Sequence, residues 1–237
     1  MAGLRIFETD PEAKPKRRDS FQSDIVGRFR SGRQTSGRPE SLSEWRVTTG
    51  DPAVADAIAR MYGGHPEEWD PSKEDALEVL TNSDKVSVLI DSADAITATM
   101  VLWGMGGEKV HECDGVSLIT DDEDNGSPCG CPPLLAERKA LAKKGRGPKP
   151  NISMRFRLAD DPELGYFRFQ SASWDLTRVL HEVQDDLDKV GTVALATLSL
   201  EVVEFTPKAG PMAGRLVSYR KPVIDVKGAA EENSAPF

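Results

Sequence analysis

Cysteine and histidine are scarce in this sequence, with three of each among 237 residues. All three cysteines lie between positions 113 and 131. An odd, clustered set of this kind in a reducing compartment is more typical of a metal site than of a disulfide framework. The sequence also lacks a Gly-x-Ser-x-Gly motif, a Walker loop and a Gly-x-Gly-x-x-Gly motif before a helix. We therefore expect a protein that is not an enzyme and has no small-molecule substrate.

Long hydrophobic runs are missing as well. The longest nearly apolar stretch, 95–106, has 12 residues and includes two threonines, whereas a membrane-spanning helix needs about 20. Charged residues begin at Arg5, and no apolar segment typical of a signal peptide follows. We expect no membrane contact and a cytoplasmic location.

Positive charge is in deficit over the whole chain but not at its beginning. The 30 basic and 39 acidic residues give a net charge of −9, which argues against autonomous tight binding to duplex DNA, since phosphate neutralisation drives that affinity. Residues 1–50 instead hold ten basic and seven acidic groups and are rich in Arg, Gly and Ser. We expect a basic arm at 1–45, either solvated or docked on an acidic partner or on phosphates.

Hydrophobic periodicity predicts the secondary structure of the remaining chain. Three helices are predicted. The first follows the capping residue Asp51 and ends at Gly63, the second is short and covers 134–144, and the third begins after Ser173 and ends at Val190. Strands are predicted at 85–91, 96–103, 151–158, 165–171, 194–205 and 215–226. The order predicts an α+β fold with mixed or antiparallel sheets and few helices.

This pattern divides the chain into four predicted parts. The basic arm, 1–45, precedes an N-terminal α/β part, 46–150, which contains a small zinc module at about 107–133. A C-terminal strand-strand-helix-strand-strand unit covers 151–226, and 227–237 forms a disordered tail.

The clearest chemical signal is a pair of short ligand motifs. His111-Glu-Cys113 and Cys129-Gly-Cys131 supply one imidazole and three thiols within 21 residues, which is a set that Zn²⁺ binds tetrahedrally in structural sites. Glu112 or Asp114 remains an alternative to His111 as the fourth ligand. The competing interpretation is three free or buried thiols near a surface histidine.

A catalytic zinc site is a poorer match. Nucleobase deaminases combine His-x-Glu with Pro-Cys-x-x-Cys and keep one coordination position for water. Here the second motif is one residue short, and Cys113 stands where the glutamate would be. Four protein ligands leave no position for water, so we expect a structural metal.

A basic run without acidic residues follows the cysteines. Five residues of this run form a candidate surface for binding a partner: Arg138, Lys139, Lys143, Lys144 and Arg146. One interpretation is a basic helix end that complements the helix dipole. The other is a docking surface for an acidic protein or phosphate.

Four groups of motifs occur in the order and spacing of one protein family. They are Gly27-Arg-Phe-Arg-Ser-Gly32 with Gly37-Arg-Pro39 and Trp45-Arg-Val-Thr-Thr49; Asp51-Pro52 with Tyr62-Gly-Gly64 and Trp69; Cys113-Asp-Gly115 with Cys129-Gly-Cys131-Pro132; and Pro150 leading into NISMRFRLADDPELGYFRFQSASWD. Through them, residues 26–226 resemble recombination directionality factors of actinobacterial phages, which partner large serine integrases. The family often has a further cysteine just before Cys113, where this chain has Lys109 and His111.

The resemblance implies a regulatory protein rather than a catalyst. Such factors bind their integrase, activate recombination of attL with attR (excision) and inhibit recombination of attP with attB (integration). The resemblance implies docking on the coiled-coil and zinc domain of the integrase, contact with DNA only through the integrase, and the cytoplasm of a bacterial host. An alternative is a recombination accessory protein that binds single-stranded DNA through the basic arm and strand faces. In it, bases would stack on aromatics among Phe156, Tyr166, Phe167 and Phe169, although strand alternation places some of these four in the core. A zinc-ribbon adaptor unrelated to recombination is a third possibility.

Overall fold

The computed structural model describes residues 24–35, 38–70, 74–208 and 213–230. These residues form eleven β-strands in one sheet and three α-helices. The fold is α+β with a mixed sheet, as the sequence predicts. No helix in the described part of the chain is long and apolar enough to cross a membrane.

The strands follow one another along the chain with the helices between them. They are β1 (Ile25–Thr35), β2 (Arg38–Thr49), β3 (Pro66–Glu68), β4 (Leu77–Leu80), β5 (Lys85–Ile90), β6 (Ile96–Trp103), β7 (Lys109–Cys113), β8 (Lys149–Leu158), β9 (Tyr166–Ser171), β10 (Ala194–Phe205) and β11 (Val217–Ala229). The helices are α1 (Pro52–Tyr62), α2 (Leu135–Lys143) and α3 (Trp174–Val190).

The sheet has the order β11-β10-β5-β8-β9-β1-β2-β4-β3, with a branch at β8. One edge of β8 pairs with β9. Its other edge pairs with β5 near Leu158 and with β6 from Met154 back to Lys149. Strand β6 also pairs with β7. The β6–β7 hairpin is therefore a side branch that leaves the main sheet.

Capping residues set the bounds of the two long helices where the sequence predicts them. The Asp51 carboxylate accepts a hydrogen bond from the Ala53 N–H at the start of α1, and the Ser173 hydroxyl accepts one from the Leu176 N–H at the start of α3. Gly191 ends α3 with φ +65°, a left-handed conformation that glycine adopts without strain. The apolar stripe of α3 is buried against the sheet of its own chain.

The core is built around five buried aromatic rings. Phe29 lies at its centre, with ring centroids 5.9 Å from Trp45, 5.5 Å from Phe156 and 5.5 Å from Phe167. Phe169 packs edge-on against Trp45 at 5.4 Å. All five rings are at most 1% exposed, so strands β1, β2, β8 and β9 are held together by one aromatic cluster.

Two predicted boundaries are wrong. Residues 25–35 and 38–45, assigned to the basic arm, form β1 and most of β2 inside the sheet. The composition of this segment is typical of a solvated arm, but β1 and β2 alternate with a period of two residues, so that Phe29, Trp45 and Val47 face the core. The division at 150/151 falls inside β8, and both predicted parts supply one continuous core. Residues 1–23 of the arm and 231–237 of the tail lie outside the described residues; β11 includes 227–229.

Candidate metal centre

The β6–β7 hairpin carries the first two metal-ligand candidates. His111 and Cys113 are two residues apart on β7, so their side chains lie on the same face of the strand. Pairing of Leu102 with His111 and of Met100 with Cys113 fixes their register. Because β6 is itself paired with β8, this pair of ligands is connected to the main sheet through two strands.

The second pair of candidate ligands, Cys129 and Cys131, lies on a compact loop. The Cys129 N–H donates to the Val116 carbonyl at 2.8 Å, and the Leu118 N–H donates to the Ser127 carbonyl at 2.8 Å. These bonds lay the 127–129 segment beside the 116–118 segment. Gly130 has φ +68° between the two cysteines, a conformation that an L-residue with a side chain adopts only with strain.

The four side chains converge on one point. One ligand atom from each of His111, Cys113, Cys129 and Cys131 lies within 4.8 Å of all the others. The Cys131 Sγ is 3.4 Å from the His111 Nε2. A zinc tetrahedron with bonds of about 2.3 Å to sulfur has edges of about 3.8 Å. The cluster can therefore hold a metal ion, and its donor set and dimensions fit tetrahedral coordination.

The two alternative carboxylate ligands are engaged elsewhere. Glu112 accepts a hydrogen bond from the Thr99 hydroxyl at 2.9 Å and forms an ion pair with Lys109. Asp114 accepts two hydrogen bonds of 2.7 Å from the N–H groups of Val116 and Ser117. The structure therefore favours His111 as the fourth ligand.

The three thiols differ in their environment. Burial raises the pKa of the Cys113 thiol to about 12. Burial, and then a hydrogen bond with Cys129, also raise the pKa of Cys131. At Cys129 burial acts in the same direction, but hydrogen bonds from the Cys131 backbone N–H and from the other two thiols outweigh it and lower the pKa. A bound dication would favour the thiolate form of all three.

Arg138 connects α2 to both halves of the metal centre. Its guanidinium donates to the Pro132 carbonyl at 2.6 Å and to the Gly115 carbonyl at 2.6 Å. Pro132 directly follows the Cys129-Gly-Cys131 motif, and Gly115 lies two residues after Cys113. Arg138 thus links the two segments that carry the candidate ligands, and the partner contact expected of it stays a prediction.

The other members of the basic run divide into two groups. The Lys139 ammonium lies 5.9 Å from the Trp174 ring centroid and is half-buried. Lys143, Lys144 and Arg146 are exposed. These three residues remain available for a partner.

Replacing Arg138 with alanine is expected to loosen the metal centre. Two charge-assisted hydrogen bonds are lost, which should lower the free energy of unfolding by about 2 kcal/mol. The melting temperature and the rate of zinc release to a chelator measure the effect. Lys143→Ala on the exposed face of α2 is the control and should change stability by less than about 0.5 kcal/mol. Equal melting temperatures and equal rates of zinc release in the two variants would contradict the stabilising role of Arg138, which we call the Arg138 clamp.

The aromatic residues that could have stacked on bases are not available. Phe156, Phe167 and Phe169 are completely buried. The Tyr166 hydroxyl donates to Asp91 at 2.7 Å, and the Arg155 guanidinium covers its ring at 4.5 Å. Strand alternation turns the three phenylalanines into the core, which removes three of the four candidate stacking residues.

One family comparison bears on the whole fold. A family model described as Gp3-like, recombination directionality factor-like, matches residues 26–225. The match begins inside β1 and ends inside β11, and it includes all four metal-ligand candidates. No solved structure matches the chain.

Proposed function

The chain belongs to the Gp3-like, recombination directionality factor-like family, and on that premise we propose that it binds a phage-encoded large serine integrase and controls the direction of recombination. In this role it activates excision between attL and attR and inhibits integration between attP and attB. The family match over residues 26–225 is the observation that carries the proposal.

Control of direction requires differential binding, not catalysis. A factor biases two arrangements of the integrase only by binding the excision-competent one more tightly. A difference of about 2–3 kcal/mol changes the ratio of the two arrangements roughly 30- to 150-fold. We propose that the protein supplies this difference, has no active site of its own and contacts DNA only through the integrase, in the cytoplasm of the host.

For the metal we propose structural zinc held by His111, Cys113, Cys129 and Cys131. Three thiolates and one imidazole match the preference of Zn²⁺ and leave no open coordination position. Zinc bound there would cross-link the β7 strand to the 129–131 loop. The ion would then hold the β6–β7 branch and α2 in a defined position.

For the docking surface we propose the exposed end of α2, with Lys143, Lys144 and Arg146. These residues lie just beyond the Arg138 clamp, so the metal centre positions them. The coiled-coil and zinc domain of the integrase is the proposed partner.

A recombination assay with purified components tests the proposal. The protein is mixed with the serine integrase encoded by the same phage or prophage, on attL × attR and on attP × attB substrates. Excision should appear only when the protein is present, and integration should fall. If neither reaction changes and the two proteins do not bind each other, the proposal fails. Salt-dependent binding to bare single-stranded DNA without integrase would support the alternative instead.

A further inference from the structure

Arginine side chains line the face of four neighbouring strands that lies opposite the aromatic core. The register sets Arg155 of β8 opposite Arg168 of β9, and Arg168 opposite Arg28 of β1. Two residues further along β1, Arg30 is paired with Arg46 of β2. The phenylalanines between these positions face the core, so strand alternation brings the arginines together on the opposite face.

Five of the arginines surround one cavity. The cavity has a volume of about 460 Å³, and its charged lining consists of Arg28, Arg30, Arg33, Arg46, Arg168 and Glu40. It lies on β9, β1 and β2, on the opposite side of β8 from the β6–β7 branch that carries the metal centre. The cavity is therefore a second site, separate from the docking surface proposed above.

Carboxylates of the chain already occupy part of this arginine cluster. Asp75 forms an ion pair with Arg28, Glu78 forms one with Arg46, and Glu40 forms one with Arg33 at 2.8 Å. Planar guanidinium groups match carboxylates in geometry. The ion pairs within the chain thus show that these guanidinium groups bind carboxylates.

Two arginines have guanidinium groups that are less fully paired. Arg168 donates through Nε to the Ser153 hydroxyl at 2.8 Å, and no carboxylate of the described residues lies within 4.0 Å of it. Arg30 donates through Nε to the Thr48 hydroxyl at 3.0 Å and shares Asp75 with Arg28, at 3.7 Å. Burial, and then the positive charge of Arg46, lower the pKa of Arg30. Each guanidinium retains N–H donors that can bind an added anion.

We propose that this cavity binds an acidic peptide segment of a protein partner, with Arg30 and Arg168 as the anchoring residues. An extended peptide carries side chains on one face at intervals of about 7 Å. The spacing of arginines along and across the strands is of the same order. Glutamate or aspartate side chains of the segment would complete the pairing that Asp75, Glu78 and Glu40 begin.

Nucleic acid is a less suitable occupant of the same cavity. Base stacking needs a free aromatic face, but the Arg46 guanidinium lies 4.4 Å above the Trp69 ring, and Arg155 covers Tyr166. The net charge of −9 also repels a polyanion at long range. A short acidic segment brings only a few negative charges to the positive cavity.

Fluorescence anisotropy with a labelled hexaglutamate peptide tests the proposal on the full chain. The test variant is the double substitution Arg30→Gln and Arg168→Gln. The matched control, Arg60→Gln with Arg178→Gln, removes the same charge from exposed positions on α1 and α3. Unlabelled oligothymidylate and inorganic phosphate serve as competitors. Circular dichroism establishes that each variant is folded.

The expected result is at least a tenfold weaker Kd for the test variant and a change of less than twofold for the control. Arg30→Lys with Arg168→Lys keeps the charge but loses the planar fork, so it should weaken binding by an intermediate factor; it decides the question if the glutamine variant does not fold. Equal losses in test and control variants, no binding by the unchanged protein, or displacement by oligothymidylate at a lower charge concentration than glutamate would overturn the proposal. None of these results depends on recombination activity.

Discussion

Replacing His111 with alanine should abolish stoichiometric zinc binding and lower the melting temperature of the protein by roughly 8–16 °C. The reason is linkage: a ligand that binds only the folded state adds about 4 kcal/mol of stability when its free concentration is about 1,000 times its Kd. For a chain of this length, each kcal/mol corresponds to roughly 2–4 °C. Because β6 pairs with β7 and with β8, the loss reaches the main sheet.

A second histidine provides a matched control for this experiment. His181 lies on α3 with its side chain 70% exposed, so His181→Ala should leave both zinc content and melting temperature unchanged. Cys129→Ser should behave like His111→Ala. Zinc content by atomic absorption and a thermal melt with and without chelator measure the result. Full zinc content in His111→Ala would exclude this histidine as a ligand. Full zinc content in both His111→Ala and Cys129→Ser would contradict the metal assignment.

Phe29→Ala should lower the free energy of unfolding by about 3–5 kcal/mol, the usual cost of truncating a buried phenylalanine. The ring is 1% exposed and contacts three other aromatic rings. Truncation leaves a cavity where four strands meet, and rigid neighbouring rings limit how far the site can collapse. Urea unfolding followed by tryptophan fluorescence measures the change, since Trp45 is one of the contacting rings.

Phe205→Ala is the control for the chemical change itself. This ring is 46% exposed near the end of β10 and packs only edge-on against Tyr219, so its loss should cost about 1 kcal/mol or less. If Phe29→Ala were equally mild, residues 25–35 would behave as the solvated arm that their composition predicts. A large difference would establish β1 as part of the core.

The candidate metal centre could be predicted from the sequence because the spacing of its residues is local information. Two pairs of ligands at i, i+2, with a glycine between the second pair, need only a strand and a tight turn to converge. The choice of His111 over Glu112 was not local. It depends on which face of β7 turns toward the loop, and on Thr99 and Lys109, which engage the glutamate.

The arginine cavity had a weak sequence signal that composition concealed. Arg28 and Arg30 alternate with Phe29, and Arg155 and Arg168 each stand beside phenylalanines, a pattern typical of half-buried strands. The richness in Arg, Gly and Ser instead favoured a solvated arm. Only the pairing of β1 with β9, a parallel contact between residues about 140 positions apart, places Arg28 beside Arg168.

Local sequence was enough to predict two capped helices, six strands, the four candidate metal ligands and the family. Each depends on residues close together in the chain, where periodicity and capping chemistry act directly. Long-range contacts, in contrast, place Phe29 and Trp45 in the core, make β6 and β7 a branch from β8, and bring Arg138 to the Pro132 and Gly115 carbonyls. Long-range strand pairing decides these features, because it selects which face of each strand is buried and which distant side chains meet.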